Sequence, residues 1–188
     1  MTTSPASNPA ADGDDPLNQF SDCHAGILTH LHALAGLPAL ARAAAQARRT
    51  AEDTLRFFRD VIYEHHAQEE KELFPAVLGS AKPGDEQRQV QQIVDRLTRE
   101  HRDIEAGWAR LEPALRDVAK GRDADLDDAA VDVLVRRYEE HASFEEREFL
   151  PLSHTILGRD DRHLAALGLS LHMRHALPEA LARFRGRV

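Results

Sequence analysis

Apolar residues recur along most of this chain at spacings of three and four, the period of an amphipathic α-helix. No segment alternates with period two for long enough to predict a strand. Glycine and proline gather at a few points, which are residues 36–38, 79–84, 121 and 158. The pattern therefore predicts an all-α fold, with four long helices and an accessory C-terminal helix.

Prolines and capping residues predict where these helices begin and end. The first should span residues 17–35 and be followed by a short helical connector after Pro38. The second and fourth should stop before Pro75 and Pro151, because proline disfavours helical geometry in the residue that precedes it. The predicted N-caps of the second, third and fourth helices are Thr50, Asp85 and Asp127.

Composition narrows the class of protein. A chain of 188 residues with 42% hydrophobic and 30% charged residues is typical of one globular domain, here predicted over residues 16–188 after a disordered tail at 1–15. The net charge of −8 argues against nucleic acid or an anionic membrane as partner. The single cysteine, Cys23, and the lack of a signal-like or membrane-spanning stretch predict a cytoplasmic protein, either a monomer or a homodimer.

Two twelve-residue segments form an internal repeat. EHHAQEEKELFP begins at residue 64 and EHASFEEREFLP at residue 140. A histidine precedes each at a similar distance, since His24 lies 41 residues before His65 and His101 lies 40 before His141. The chain thus resembles two tandem helical hairpins, each of the form His, turn, His-x-x-x-Glu. Such hairpins predict an antiparallel four-helix bundle with an approximate two-fold axis.

The repeat also predicts a metal site. Residues four apart share a helix face, and these faces are otherwise apolar. One inward histidine is usually a hydrogen-bonded core residue, but four imidazoles and two carboxylates buried together are unfavourable without cations. We expect two metal ions, each bound by two histidines and bridged by both glutamates and a solvent oxygen, with one open position. The predicted ligands are His24, His65, Glu69, His101, His141 and Glu145.

The same two segments resemble the HHE cation-binding domains of the bacterial hemerythrin family. The resemblance covers residues 17–155 and rests on HHAQEEKELFP and HASFEEREFLP. It implies an up-down-up-down four-helix bundle around a carboxylate-bridged di-iron centre, with the same six ligands. Ligation by imidazole and carboxylate without thiolate suits two iron ions, Fe²⁺ or Fe³⁺, with an oxo or hydroxo bridge; manganese or zinc fits less well.

One position departs from the family pattern. Oxygen-carrying hemerythrins have a second histidine one turn after the third-helix ligand, and this chain has Glu105 there. Either the site has one ligand fewer and is more open, or Glu105 supplies a carboxylate as a further metal ligand. The substitution argues against reversible oxygen carriage.

Several neighbours of the ligands are predicted to lie off the ligand face. His66 should face solvent or touch a ligand only weakly, and Glu70 and Glu146 should form surface ion pairs. Glu72 and Glu148 return to nearly the ligand face; they could hydrogen-bond ligand histidines or line an entry path, though solvation at a helix end explains them better.

The resulting hypothesis is a non-haem di-iron protein that binds or senses oxygen or another small diatomic such as nitric oxide. Two alternatives use the same centre. One is a di-iron enzyme that reduces peroxide or nitric oxide, and the other is an iron-handling or iron-donor protein. The sequence does not decide whether the protein is an enzyme.

Overall fold

The described structure is all-helical. The computed structural model describes residues 16–159, with side chains from residue 20, and contains no strand within that range. No helix in this part of the chain is long and apolar enough to cross a membrane. The predicted disordered tail at 1–15 and the accessory C-terminal helix lie outside the described residues.

The described residues form six α-helices and three π-helical turns of five residues each. The α-helices are α1 (Pro16–Phe57), α2 (Tyr63–Gln68), α3 (Phe74–Ser80), α4 (Asp85–Ala119), α5 (Asp128–Phe144) and α6 (Leu150–Leu157). The π-helical turns are Phe58–Ile62, Glu69–Leu73 and Glu145–Phe149. A π-helical turn accommodates one more residue than an α-helical turn, so each one changes which residues face the core.

The chain divides into two compact units, Met1–Gln46 and Ala47–Val188. The described part of the first unit is the N-terminal portion of α1. The predicted break at residues 36–38 is wrong, because α1 continues through Pro38 and places Thr50 inside a helix rather than at its cap. The sequence after Pro38 is rich in alanine and arginine, whose high helix propensity compensates for the hydrogen bond that proline removes.

The described part of the second unit contains three helical rods. We call residues 47–80 the first rod, α4 the second rod and residues 128–157 the third rod. The predicted ends before Pro75 and Pro151 are wrong, because helical backbone continues past both prolines. Each proline lies in the first turn of an α-helix that directly follows a π-helical turn. A proline costs little there, since its missing N–H lies where the hydrogen-bond pattern already changes.

Local signals fix the connections between the rods. The Asp127 carboxylate accepts a hydrogen bond from the Ala130 N–H at 3.1 Å, which confirms the predicted N-cap of α5. The N-cap of α4 is Gly84 rather than Asp85, with a φ of 111° that glycine adopts readily. At the other end of α4, Gly121 at φ 70° reverses the chain in a Schellman arrangement.

The rods enclose two apolar clusters. The first cluster joins the ends of the rods near the α3–α4 connection and consists of Leu73, Phe74, Val77, Ala81, Val90, Val94, Leu97, Phe149, Ile156 and Leu157. The second cluster lies further along the rods and consists of Phe58, Ile62, Ile104, Trp108, Leu111 and Leu134. In each rod, a short polar stretch of sequence separates the residues of one cluster from those of the other.

The second cluster depends on the stacked rings of Phe58 and Trp108, whose centroids lie 3.7 Å apart at an interplanar angle of 3°. We expect Trp108→Ala to lower the free energy of unfolding by about 3–5 kcal/mol, because a fully buried aromatic side chain leaves a cavity. Urea unfolding followed by circular dichroism measures this change. The exposed Val135 provides the control, and Val135→Ala should change stability by less than about 0.5 kcal/mol. Equal midpoints for the two variants would contradict the packing described.

Candidate metal centre

A layer of ionisable side chains lies between the two apolar clusters. It falls into two groups of three, and within each group one ligand atom per residue lies within 4.8 Å of the others. The imidazole group consists of His66, His101 and His141, and the carboxylate group consists of His65, Glu69 and Glu145. All but His65 are buried, and His65 is 21% exposed. The three rods therefore bring four imidazoles and two carboxylates together in the interior.

Glu69 connects the two groups. Its Oε1 lies 3.3 Å from Nε2 of His65 on the same rod, and its Oε2 lies 3.2 Å from Nε2 of His101 on the second rod. The Glu69 side chain is completely buried. One carboxylate thus faces a histidine of each group with a different oxygen.

Each histidine of the imidazole group is held by a glutamate on another rod. The Nδ1 contacts are His66 with Glu105 at 3.2 Å, His101 with Glu70 at 2.8 Å and His141 with Glu100 at 3.1 Å. A carboxylate that accepts the Nδ1 proton orients the ring and leaves the Nε2 lone pair free for another partner. The same arrangement supports metal-binding histidines in many proteins.

The inward-facing atoms approach one another but make no hydrogen bonds. Among the described residues, no hydrogen bond reaches Nε2 of the three imidazole-group histidines or either oxygen of Glu69. Nδ1 of His65 is also buried without a hydrogen bond. Burying polar atoms in this way is unfavourable unless something binds them. Imidazole nitrogen and carboxylate oxygen are both good ligands for divalent and trivalent cations, so these residues fit a metal centre.

The pKa shifts of the residues in this layer also fit a cation site. Burial lowers the pKa of His66 to about 2 and also lowers those of His65 and His141. Burial together with the neighbouring Glu69 raises the pKa of Glu145 to about 8. For His101, burial favours the neutral ring, but its contacts with two carboxylates outweigh burial and raise the pKa. Nearby cations would keep the histidines neutral and Glu145 ionised, which is the state in which all of them bind metal.

The π-helical turns shape this layer. Glu69 and Glu145 occupy equivalent positions in the sequence repeat, and each is the first residue of a π-helical turn. A further π-helical turn, Phe58–Ile62, precedes the histidine pair and adds one residue to the rod. The inward face consequently passes through His66 as well as His65.

The expectation that His66 faces solvent is therefore wrong. Its ring is 1% exposed and stacks on that of His101, with centroids 3.9 Å apart. The sequence carried a signal that could have found it. HHAQEE holds two overlapping His-x-x-x-Glu frames, His65 with Glu69 and His66 with Glu70, and only the first frame has a counterpart in the repeat.

The glutamates around the site also differ from expectation. Glu70 contacts His101 in addition to forming the expected ion pair, here with Arg102. Glu105 contacts Nδ1 of His66, and its role as a metal ligand stays a prediction. Glu100 was not predicted to belong to the site. It lies one residue before His101, and neither the repeat nor a helical spacing marks it. Three other glutamates considered above are exposed: Glu72, Glu146 and Glu148.

His24 belongs to the first unit, and its side chain is exposed on α1 beside Phe20, with ring centroids 5.0 Å apart. The two groups of the candidate centre consist of residues from the second unit. The assignment of His24 as a ligand therefore stays a prediction. The other five predicted ligands lie in the polar layer.

The pKa shifts predict how the stability of the metal-free protein depends on pH. Glu145 has a pKa of about 8 against an ordinary value of 4.5, so the folded state holds an extra proton between these values and loses stability as pH rises through them. His66 has the opposite effect, at acidic pH. The unfolded chain binds a proton below 6.5 that the folded state accepts only near 2, so stability also falls as pH is lowered. Maximum stability is expected at about pH 4.5–6.5.

Glu145→Gln tests this assignment, because it should reduce the alkaline decline by the order of 2–4 kcal/mol, keep the part that comes from the raised pKa of His101, and leave the acidic decline in place. Urea midpoints measured on metal-free protein across this pH range report both declines. The exposed neighbour supplies the matched control, and Glu146→Gln should follow the wild-type profile. An unchanged alkaline decline in Glu145→Gln would show that its carboxyl is not the group responsible.

Comparison with known proteins supports a cation-binding role for this layer. A family model described as the hemerythrin HHE cation-binding domain matches residues 15–153, a range that includes every residue of the two groups. The searches of curated proteins and of solved structures found no match. Because the family model covers most of the chain, the chain belongs to the hemerythrin family of HHE cation-binding domains.

Proposed function

We propose that this protein binds two iron ions in the polar layer and uses them to bind or sense oxygen or another small diatomic such as nitric oxide. The observation that carries the proposal is the convergence of buried, unpartnered nitrogen and oxygen atoms in two adjacent groups. Two groups favour two cations, and Glu69 lies between them. Ligation by imidazole and carboxylate without thiolate favours iron over structural zinc.

The residues divide unequally between the two ions. His66, His101 and His141 would hold one ion through Nε2, since their Nδ1 atoms are occupied by glutamates. His65, Glu69 and Glu145 would hold the other, and Glu69 faces both groups. When bound, an iron pair of this kind can coordinate a small molecule and exchange electrons with it.

The family model also covers the first unit, and we propose His24 as a further ligand on the family's pattern alone. The described part of this unit carries an apolar stripe on α1 at helical spacing, whose side chains are between 49% and 67% exposed. The stripe consists of Ile27, Leu28, Leu31, Leu34, Leu37 and Leu40.

Surrounding side chains limit the chemistry at the site. The aromatic rings of Phe74 and Phe149 and the apolar residues of both clusters exclude bulk water, which suits an uncharged diatomic. Tyr138 lies beside the layer, with its ring centroid 6.0 Å from that of His141. Burial and the charges of Glu69 and Glu145 raise its pKa to about 12, so its hydroxyl stays protonated and can donate a hydrogen bond.

The metal content of single variants tests the ligand set. The wild-type protein, reconstituted anaerobically with ferrous iron, should retain two iron ions per chain after gel filtration. His65→Ala, His66→Ala and Glu145→Ala should each retain fewer than two, because each removes a ligand that no neighbour replaces. The exposed His154 is the matched control, and His154→Ala should retain both ions. Two ions in each of the three ligand variants would refute this centre.

The response to oxygen tests the function. Exposure of the reconstituted protein to oxygen, with the absorption spectrum and iron content recorded together, should give a stable adduct with both iron ions retained. Catalytic consumption of peroxide without a stable adduct would instead identify an enzyme. Loss of iron without any adduct would identify an iron-handling protein.

A further inference from the structure

The second histidine frame of the first rod has a partner frame on the second rod. His66 and Glu70 are four residues apart, as are His101 and Glu105. The two antiparallel rods place these frames opposite each other, so that each glutamate contacts the histidine of the other frame. The two imidazole rings stack between the contacts at an interplanar angle of 6°.

Arg102 joins the two carboxylates on their outer side. Its Nη1 donates to Oε2 of Glu105 at 3.0 Å, and its Nη2 donates to Oε2 of Glu70. In both glutamates the other oxygen, Oε1, faces a histidine. One guanidinium therefore fixes two carboxylates, each of which holds a ring whose Nε2 faces the centre.

Chemistry explains why arginine suits this position. A guanidinium presents its N–H donors in a rigid plane, whereas a lysine ammonium is a single point charge on a flexible stem. Glu70 and Glu105 are 21% and 23% exposed, so both reach the surface and could turn into solvent if nothing held them. An exposed ion pair adds little to overall stability, and Arg102 is 56% exposed. Its effect should therefore appear in the orientation of the rings rather than in the free energy of unfolding.

We propose that Arg102 is a positioning residue, which fixes the Nδ1–H tautomer and the Nε2 direction of His66 and His101 before any metal arrives. This inference rests on the proposed two-cation site but makes a separate claim about the metal-free protein. The third histidine provides an internal comparison. His141 is held by Glu100, which is paired with a different guanidinium, that of Arg96, at 2.7 Å.

Nitrogen-15 NMR of histidine-labelled, metal-free protein, at a pH high enough that His101 is neutral as well, reads the tautomers directly. In the wild type, all three rings should carry the proton on Nδ1. In Arg102→Gln, His66 and His101 should become tautomer mixtures while His141 stays unchanged. Arg102→Lys should preserve the wild-type state at no more than one of the two rings. The control is Arg99→Gln, since Arg99 is an exposed arginine on the same rod, and it should match the wild type at every ring.

Cobalt(II) binding, measured in competition with a chromophoric chelator, gives the second measurement. Changes to groups that orient metal-binding histidines typically weaken metal affinity by about 10–100-fold. Arg102→Gln should weaken binding of one of the two cobalt ions about 10-fold and leave the other within about twofold. The second ion is little affected because its proposed ligands, His65, Glu69 and Glu145, do not contact Arg102.

Two results would overturn the proposal. One is an Arg102→Gln protein that keeps Nδ1–H at both rings, and the other is a loss of tautomer preference that extends equally to His141. If the wild-type protein binds fewer than two cobalt ions, the two-cation function fails instead. The NMR spectra of the metal-free protein still decide the role of Arg102 in that case.

Discussion

The second unit is organised around buried nitrogen and oxygen atoms that the protein itself does not satisfy. Leaving one neutral polar group unpaired in an apolar interior costs about 1–3 kcal/mol, and a charged group costs more. Here several such atoms lie together between two apolar clusters that would otherwise merge into one core. Keeping them there lowers the stability of the metal-free fold. Such a cost is expected of a site that binds cations rather than of residues that only fill the core.

Much of the fold and of the site follows from helical periodicity and from the repeat. The all-α class, the Asp127 cap and the inward direction of Glu69 and Glu145 all depend on spacing within one helix, where the α-helical period holds. The failures arise at prolines and where the backbone departs from that period. A proline inside α1 did not end the helix, and Pro75 and Pro151 were accommodated because π-helical turns precede them.

His66 shows why the site could be predicted only in part. Counting in steps of 3.6 residues from Phe58 assigns the inward face to His65, and the extra residue of a π-helical turn extends it to His66. No feature of the sequence marks the position of that turn. The contacts of Glu100 with His141 and of Glu105 with His66 could not be predicted for another reason, because they cross between rods and depend on how the rods are aligned. Spacing along one chain segment carries no information about alignment between segments.

The repeat in the sequence suggests two equivalent half-sites, but the structure makes them unequal. The first rod contributes two histidines to the layer, His65 and His66. The third rod contributes one, His141, because the residue that corresponds to His66 is Ala142. One group consequently contains three neutral donors and the other contains two carboxylates. A cation in the carboxylate group would have its charge largely compensated by its ligands, and a cation among the imidazoles would not. The second unit therefore offers two unequal sets of donors, an inequality that the sequence repeat alone does not reveal.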